Sequence, residues 1–283
     1  MVLRVALALF VALPCCAEAQ APASPDTATV QSGGLTLHAL LWRPRGPGPF
    51  PAVLFNHGSY GSPDRITPDE PAAVGPVFAQ HGYVLLFLYR RGVGLSADLD
   101  SADGDLMTRA GEVEGQKGRN RIQLELLDHE ALNEALAGLA YLRTVRGVDP
   151  HRVAVVGHSF GGAISLALAA RDTAVRAVVD FAGAARSWAG FPELQARLRS
   201  AVDQIVAPVF FIHAANDYSL APGQQLAGQM KRLNRPQRLK IYPPVAPNSR
   251  NGHDFIYLRV QEWEGDVFDF LDKYCGRQAG RSN

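Results

Sequence analysis

Gly157-His158-Ser159-Phe160-Gly161-Gly162 follows the apolar run Val153 to Val156 directly, and a small, apolar, helix-like stretch comes after it. Gly-x-Ser-x-Gly between a strand and a helix holds its serine on a turn so tight that Oγ stands exposed. Glycine suits positions 157 and 161, because a side chain there would strike the neighbouring strand or helix. The N-terminus of the next helix favours the negative charge that develops as the oxygen attacks. The chemistry predicted is nucleophilic attack by Ser159 on an acyl carbonyl.

A serine is a weak nucleophile until a base takes its proton. In this setting the partners follow in the order Ser…Asp/Glu…His, each at the carboxyl end of a later strand. Val209 to Ile212 reads as such a strand, and His213-Ala214-Ala215-Asn216-Asp217 puts Asp217 in the loop beyond it. Asp180, flanked by Val179 and Phe181, is the rival acid; its place within a strand favours a structural role. Asp149 precedes Pro150 and reads as a turn residue. Eight histidines compete for the base. His38 lies on an N-terminal strand, and His81, His129 and His151 fall in helical or turn contexts. His57, His158 and His213 accompany strand ends, where a histidine packs or hydrogen-bonds without reacting. His253 alone follows the last predicted strand, on the loop Pro243 to Gly252 that opens the final helix. It is the expected base, and Asp254 beside it fits an N-cap.

The tetrahedral oxyanion needs two backbone N–H donors. One is expected from Phe160, the residue after the nucleophile. The other is expected from Asn56-His57-Gly58-Ser59-Tyr60-Gly61, the loop after the strand Ala52 to Phe55, with Ser59 as the donor and Tyr60 in reserve. His57 reads as support for that loop.

These groups need a scaffold that brings several strand ends together. Leu35 to Leu41 alternates as a half-exposed, antiparallel strand does. Ala52 to Phe55, Tyr83 to Tyr89, Val153 to Val156, Val175 to Phe181, Val209 to Ile212 and Leu239 to Tyr242 are continuously apolar, as strands covered on both faces are. Between them, Leu132, Ala135, Leu136, Leu139 and Leu142 repeat at helical spacing, with Asp128 as N-cap and Gly147 past the end. Phe160 to Arg171, Leu220 to Leu233 and Asp254 to Tyr274 are further helices. The alternation predicts a doubly wound α/β sheet in one domain over residues 35–283. One segment, Ala97 to Gln123, breaks the rhythm: Asp98, Asp100, Asp103 and Asp105 precede Lys117, Arg119 and Arg121. It is either a solvated loop or a cap over the site. Its two charged halves are expected to pair with each other, and its few apolar residues to add little stability.

The ordered set resembles the α/β-hydrolase fold over residues 35 to 275. It comprises the His-Gly loop, Arg91-Gly92-Val93-Gly94-Leu95-Ser96, the serine turn, the His-x-x-Asn-Asp strand end and the late histidine. It looks most like the dienelactone-hydrolase-like branch, bordering the catalytic domains of prolyl oligopeptidases. The resemblance implies a mostly parallel sheet of about 7–8 strands with helices on both faces, and a serine hydrolase without metal or organic cofactor. It gives Ser159 the nucleophile's place, Asp217 the acid's and His253 the base's. Dienelactone hydrolases proper use a cysteine nucleophile, and prolyl oligopeptidases carry a propeller this chain has no room for. The expected substrate is therefore stated by bond type, as a carboxylic ester, lactone or similar acyl compound cleaved by water. An acyltransferase or small peptidase with the same triad, or a non-catalytic binding protein on this scaffold, are the alternatives.

Composition agrees. The chain has 283 residues, 47% apolar, with Lys+Arg 28 against Asp+Glu 27, so it lacks both the charge excess of a disordered chain and a bulk field for nucleic acid or an anionic membrane. Arg4, the apolar run Val5 to Leu13 and Ala17-Glu18-Ala19 read as a signal peptide over residues 1–19, implying export to the periplasm or medium. Nine apolar residues are too few to span a bilayer, so no stable membrane insertion is expected. A lipid on Cys15 or Cys16 is the alternative anchor, for which Leu13-Pro14 is a poor lead-in. Cleavage leaves Cys275 alone among the three cysteines, so no internal disulfide is expected. Residues 20–34, rich in Ala, Pro, Ser and Thr, read as a disordered leader.

Overall fold

Strands that are apolar on both faces can only be central, and the computed structural model, which describes residues 24–61 and 66–276, places them so. The strands are β1 (Asp26–Ser32), β2 (Leu35–Trp42), β3 (Phe50–Asn56), β4 (Val84–Leu88), β5 (Val148–His158), β6 (Val178–Phe181), β7 (Val209–Ala214) and β8 (Gln237–Tyr242). They form one sheet in the order β1-β2-β4-β3-β5-β6-β7-β8. The pairs β1–β2 and β2–β4 are antiparallel. Every other pair is parallel.

The helices are α1 (Asp69–Gln80), α2 (Asp103–Asp128), α3 (Glu130–Thr144), α4 (Phe160–Arg171), α5 (Pro192–Gln204), α6 (Ala221–Arg232), α7 (Ser249–His253), α8 (Phe255–Leu258) and α9 (Val260–Cys275). On β5, Val153 and Val155 join one apolar cluster with residues of α3 to α6, while Ala154 and Val156 join another with residues of α1, α8 and α9. Successive strand residues point to opposite faces, so helices cover both sides. The fold is that of an α/β hydrolase. Cys275 is buried, packed at the end of α9.

Several expectations are corrected. Asp26–Ser32 is not disordered leader but edge strand β1, paired along its length with β2. Val30 and Ser32 turn inward, and Gly33 and Gly34 take φ of 55° and 85°, the two positive values a tight hairpin turn demands. The segment 97–123 is not a loop: most of it lies in α2, which bends at Gly115 (φ 64°, ψ −158°). Asp100 and Asp103 of its acidic half pair outside the segment, not with its basic half. Asp103 meets Arg90 at 2.8 Å and Asp100 meets Arg91 at 3.7 Å, while Arg121 pairs with Glu114 and Glu125. Met107 and Gln123 are buried and Leu106 and Ile122 pack on the core, so the segment does carry stability. Asp128 ends α2 and binds Arg197 instead of capping α3. Beyond β8 the chain makes α7, α8 and α9 where one helix was expected, and Asp254 caps none of them through its side chain.

Residues 1–19, read above as a signal peptide, lie outside the described residues. Among the described residues, no helix is long and apolar enough to cross a membrane, and no group of three or more His, Cys, Asp or Glu is placed to hold a metal ion.

Candidate active site

Six parallel strands, β3 to β8, end on one edge of the sheet, where doubly wound sheets bind their ligands. Ser159 sits between β5 and α4 with φ 56° and ψ −118°, a conformation few non-glycine residues adopt. Its N–H donates to the Phe181 carbonyl at 2.9 Å, and its carbonyl accepts from Gly162 and Ala163. The turn tolerates no bulk: a Cβ on Gly161 would collide with the Asn56 carbonyl, and one on Gly157 with Gly161.

Asp217 lies in the turn after β7, its N–H bonded to the Ala214 carbonyl at 3.0 Å. His253 is the last residue of α7. Asn216 joins the two loops: its side-chain nitrogen donates to the carbonyls of Val245 and Asn248 at 2.7 and 2.8 Å, and its oxygen accepts from the Val245 N–H at 2.8 Å. The outcome is a continuous relay. His253 Nε2 lies 2.8 Å from Ser159 Oγ, and His253 Nδ1 lies 2.8 Å from Asp217 Oδ1. Burial alone would raise the Asp217 pKa, yet hydrogen bonds from His213 and His253 hold it down at about 2. A carboxylate at Oδ1 only accepts, so His253 Nδ1 carries the hydrogen and Nε2 is left to face the serine.

Asp180 stands apart. It is on β6, its carboxyl lies against Gly162 and Gly183, and one of its oxygens is buried without a hydrogen-bond partner. Burial pushes its pKa up to about 7. His158 is fully buried and held neutral by that burial, with a pKa near 3. Its Nε2–H donates to the His253 carbonyl at 2.9 Å and so steadies the residue that faces Ser159. His57 likewise serves its loop, donating from Nδ1 to the Gly58 carbonyl at 2.7 Å and accepting the Arg90 N–H at Nε2.

Ser59 and Phe160 line the recess at Ser159 together. Phe160 opens α4, where the N–H has no intrahelical acceptor. The reserve donor Tyr60 is excluded, because its N–H is spent on Asp103 Oδ1 at 3.0 Å. This contact belongs to a buried network that motif reading missed. The Arg90 guanidinium donates to the carbonyls of His57 and Gly58 and to Asp103, fixing the His57–Tyr60 loop from below. Met107, Arg119 and Gln123 of α2 also line the recess, as do Arg186 and Ser187, whose hydroxyl donates to Gln123 Oε1 at 2.9 Å. So α2 borders the site, as a cap would. A larger apolar cleft of ≈ 630 Å³, lined in part by Leu40, Trp42, Pro71, Pro76, Val77 and Tyr89, holds none of these reactive groups.

Residues 37–256 match the model of the dienelactone hydrolase family. The chain belongs to that family. One relative is the quorum-quenching protein AidA of Acinetobacter baumannii, 26% identical over 92% of this chain and 75% of its own. The dienelactone hydrolase of Anabaena variabilis superposes with a TM-score of 0.60 at 21% identity, over 90% of this chain and all of that one. The acylaminoacyl peptidase of Pyrococcus horikoshii gives 0.68 at 15% identity over 94% of this chain. The chain spans only 44% of that peptidase's length. At these identities the likeness to both structures is one of fold. Family membership makes the protein a hydrolase, with a small-molecule substrate and water.

Proposed function

We propose that this hydrolase is an exported serine esterase that cleaves carboxylic esters or lactones through an acyl-enzyme. The observation that carries the reading is the relay Ser159 Oγ, His253, Asp217, with both links at 2.8 Å. His253 Nε2 takes the Ser159 proton as Oγ adds to the carbonyl carbon, and Asp217 keeps the imidazole in the tautomer that accepts it. The N–H groups of Phe160 and Ser59 receive the oxyanion. Collapse of the tetrahedral adduct expels the alkoxide, which takes the proton from His253, and water repeats the sequence to release the acid.

A panel of p-nitrophenyl esters graded by acyl length tests the bond type, with a peptide amide and an added alcohol as competitors. The expected result is hydrolysis of the esters, little turnover of the amide and no net transfer to the alcohol. Preferential amide cleavage would favour a peptidase, and an alcohol adduct a transferase. The name of the Acinetobacter relative adds a quorum-sensing signal to the substrates worth including.

The wall formed by α2 bears on selectivity. Met107→Ala, which enlarges the recess, is expected to raise kcat/KM for longer acyl chains over shorter ones by about tenfold, the scale of one or two methylenes in an apolar pocket. An unchanged ester ranking would move the search for specificity to the loop 243–248.

Export rests on Arg4, the run Val5 to Leu13 and Ala17-Glu18-Ala19. N-terminal sequencing of protein recovered from periplasm or medium is expected to start at or near Gln20. An intact Met1 or Val2 would overturn the export reading.

A further inference from the structure

The carboxylate of Asp217 holds two imidazoles, one on each oxygen. His253 Nδ1 lies 2.8 Å from Oδ1, and His213 Nδ1 lies 2.7 Å from Oδ2. Oδ1 also accepts the Tyr218 N–H at 2.7 Å. Among the described residues, Oδ2 has His213 alone. The side chains of His213 and Asp217 are 1% and 0% exposed, so no bulk water stands in for a missing donor.

His213 has one polar task. Facing an ionised carboxylate, its Nδ1 carries the hydrogen. Its other nitrogen, Nε2, is buried without a hydrogen-bond partner and lies against Gly223, where a Cβ would come within 2.5 Å of it. The missing side chain at 223 is what leaves room for the ring. His213 belongs to β7 and is paired in register with Ile241 of β8, so the sheet fixes its backbone. Asp217 is on the turn that follows, and there a carboxylate held through one oxygen is free to swing about its last side-chain bond.

We propose that His213 is a positioning residue of the site. It clamps Oδ2 of Asp217 to the end of β7, which keeps Oδ1 in line with His253 Nδ1. This inference rests on the reading of Ser159, His253 and Asp217 as the reacting set. It adds a fourth member, which touches neither substrate nor serine.

Three substitutions separate this role from packing. Asn places an N–H near the position of the ring Nδ1, Gln places it farther out, and Leu fills space without a donor. His213→Leu is expected to lower kcat about ten- to a hundredfold, the scale of one hydrogen bond to a charged group, with KM within about twofold. His213→Asn should recover most of the loss and His213→Gln little of it, while labelling of Ser159 by a fluorophosphonate slows in parallel with kcat. If His213→Leu fails to fold, the comparison of Asn with Gln still decides. Full activity in His213→Leu, or equal activity in the Asn and Gln variants, overturns the proposal while leaving the serine reading intact. Turnover that survives Ser159→Ala overturns the serine reading itself, and this inference with it.

Discussion

Ser159→Ala is expected to leave the fold unchanged and to cut ester turnover by about a millionfold, because residues that act as one unit fail together. The substitution removes one buried-edge oxygen and no apolar contact, so its effect on Tm should be small. A fluorophosphonate is expected to label the wild-type protein once and the variant not at all. Label persisting on another serine would show that the turn at 157–161 serves packing and that the nucleophile lies elsewhere. The strained φ at Ser159 argues against that outcome: backbone in this region costs ~1–3 kcal/mol and persists only where surrounding structure enforces it. Here the Phe181 carbonyl, the start of α4 and the crowding around Gly161 enforce it, and the result is an oxygen held 2.8 Å from a histidine.

What was legible in the sequence follows from what the physics makes local. Tyr83 to Tyr89 and Val153 to Val156 are readable as central strands, because burial on both faces requires apolar residues at every position. Ser159, Asp217 and His253 are readable because each follows or precedes a strand in an order set by topology, and the structure brings those three together. Strand β1 was obscured by its polar outer face of Thr27, Thr29 and Gln31, although the Gly33-Gly34 pair is a hairpin signal in its own right. Helix α5 went unread despite Pro192 in its first turn and the inward spacing of Leu194, Leu198, Ala201 and Val202. Helix α2 was hidden by Gly111, Gly115 and Gly118, and by an apolar face that is thin because one side borders a cleft.

Contacts that cross between elements left no local pattern at all. Arg90 stands on one segment and Asp103 on another; only the fold shows that they close beneath the loop carrying Ser59. The buried pair is a costly arrangement unless every hydrogen-bonding position is used. Asp103 uses its own positions by also accepting the N–H groups of Tyr60 and Gly104, while among the described residues Arg90 Nε is buried without a partner. The start of α2 is thus bonded to the loop proposed to hold the oxyanion, which is why cap and catalytic centre cannot be exchanged as independent parts.

Asp217→Asn is expected to lower kcat about 10⁴-fold, as the same exchange does in a related triad by leaving the histidine in the wrong tautomer, whereas Asp180→Asn should change kcat little. Both aspartates are buried, and the two differ in what their oxygens meet. Asp217 Oδ1 faces His253 Nδ1 at 2.8 Å and its pKa is held at about 2, so it is an anion at any working pH. An amide in its place offers either an oxygen without the charge or an N–H that forces the hydrogen onto Nε2, turning His253 from acceptor to donor toward Ser159. Asp180, pushed up to about 7 by burial, has an oxygen with no donor opposite it, so an uncharged amide of the same shape suits its surroundings at least as well. Stability measured against pH separates the two in the same way. A carboxyl whose folded pKa lies below its unfolded value stabilises above the unfolded pKa and loses that contribution as pH falls through the folded one, so Asp217 matters to acid unfolding between about pH 4 and 2. Asp180 has the opposite sign: its folded pKa exceeds the unfolded value, and the wild-type protein should lose stability as pH rises from about 4 to 7 relative to Asp180→Asn. A larger loss of kcat in Asp180→Asn than in Asp217→Asn, with both variants folded, would put the acid on β6 and break the relay as described.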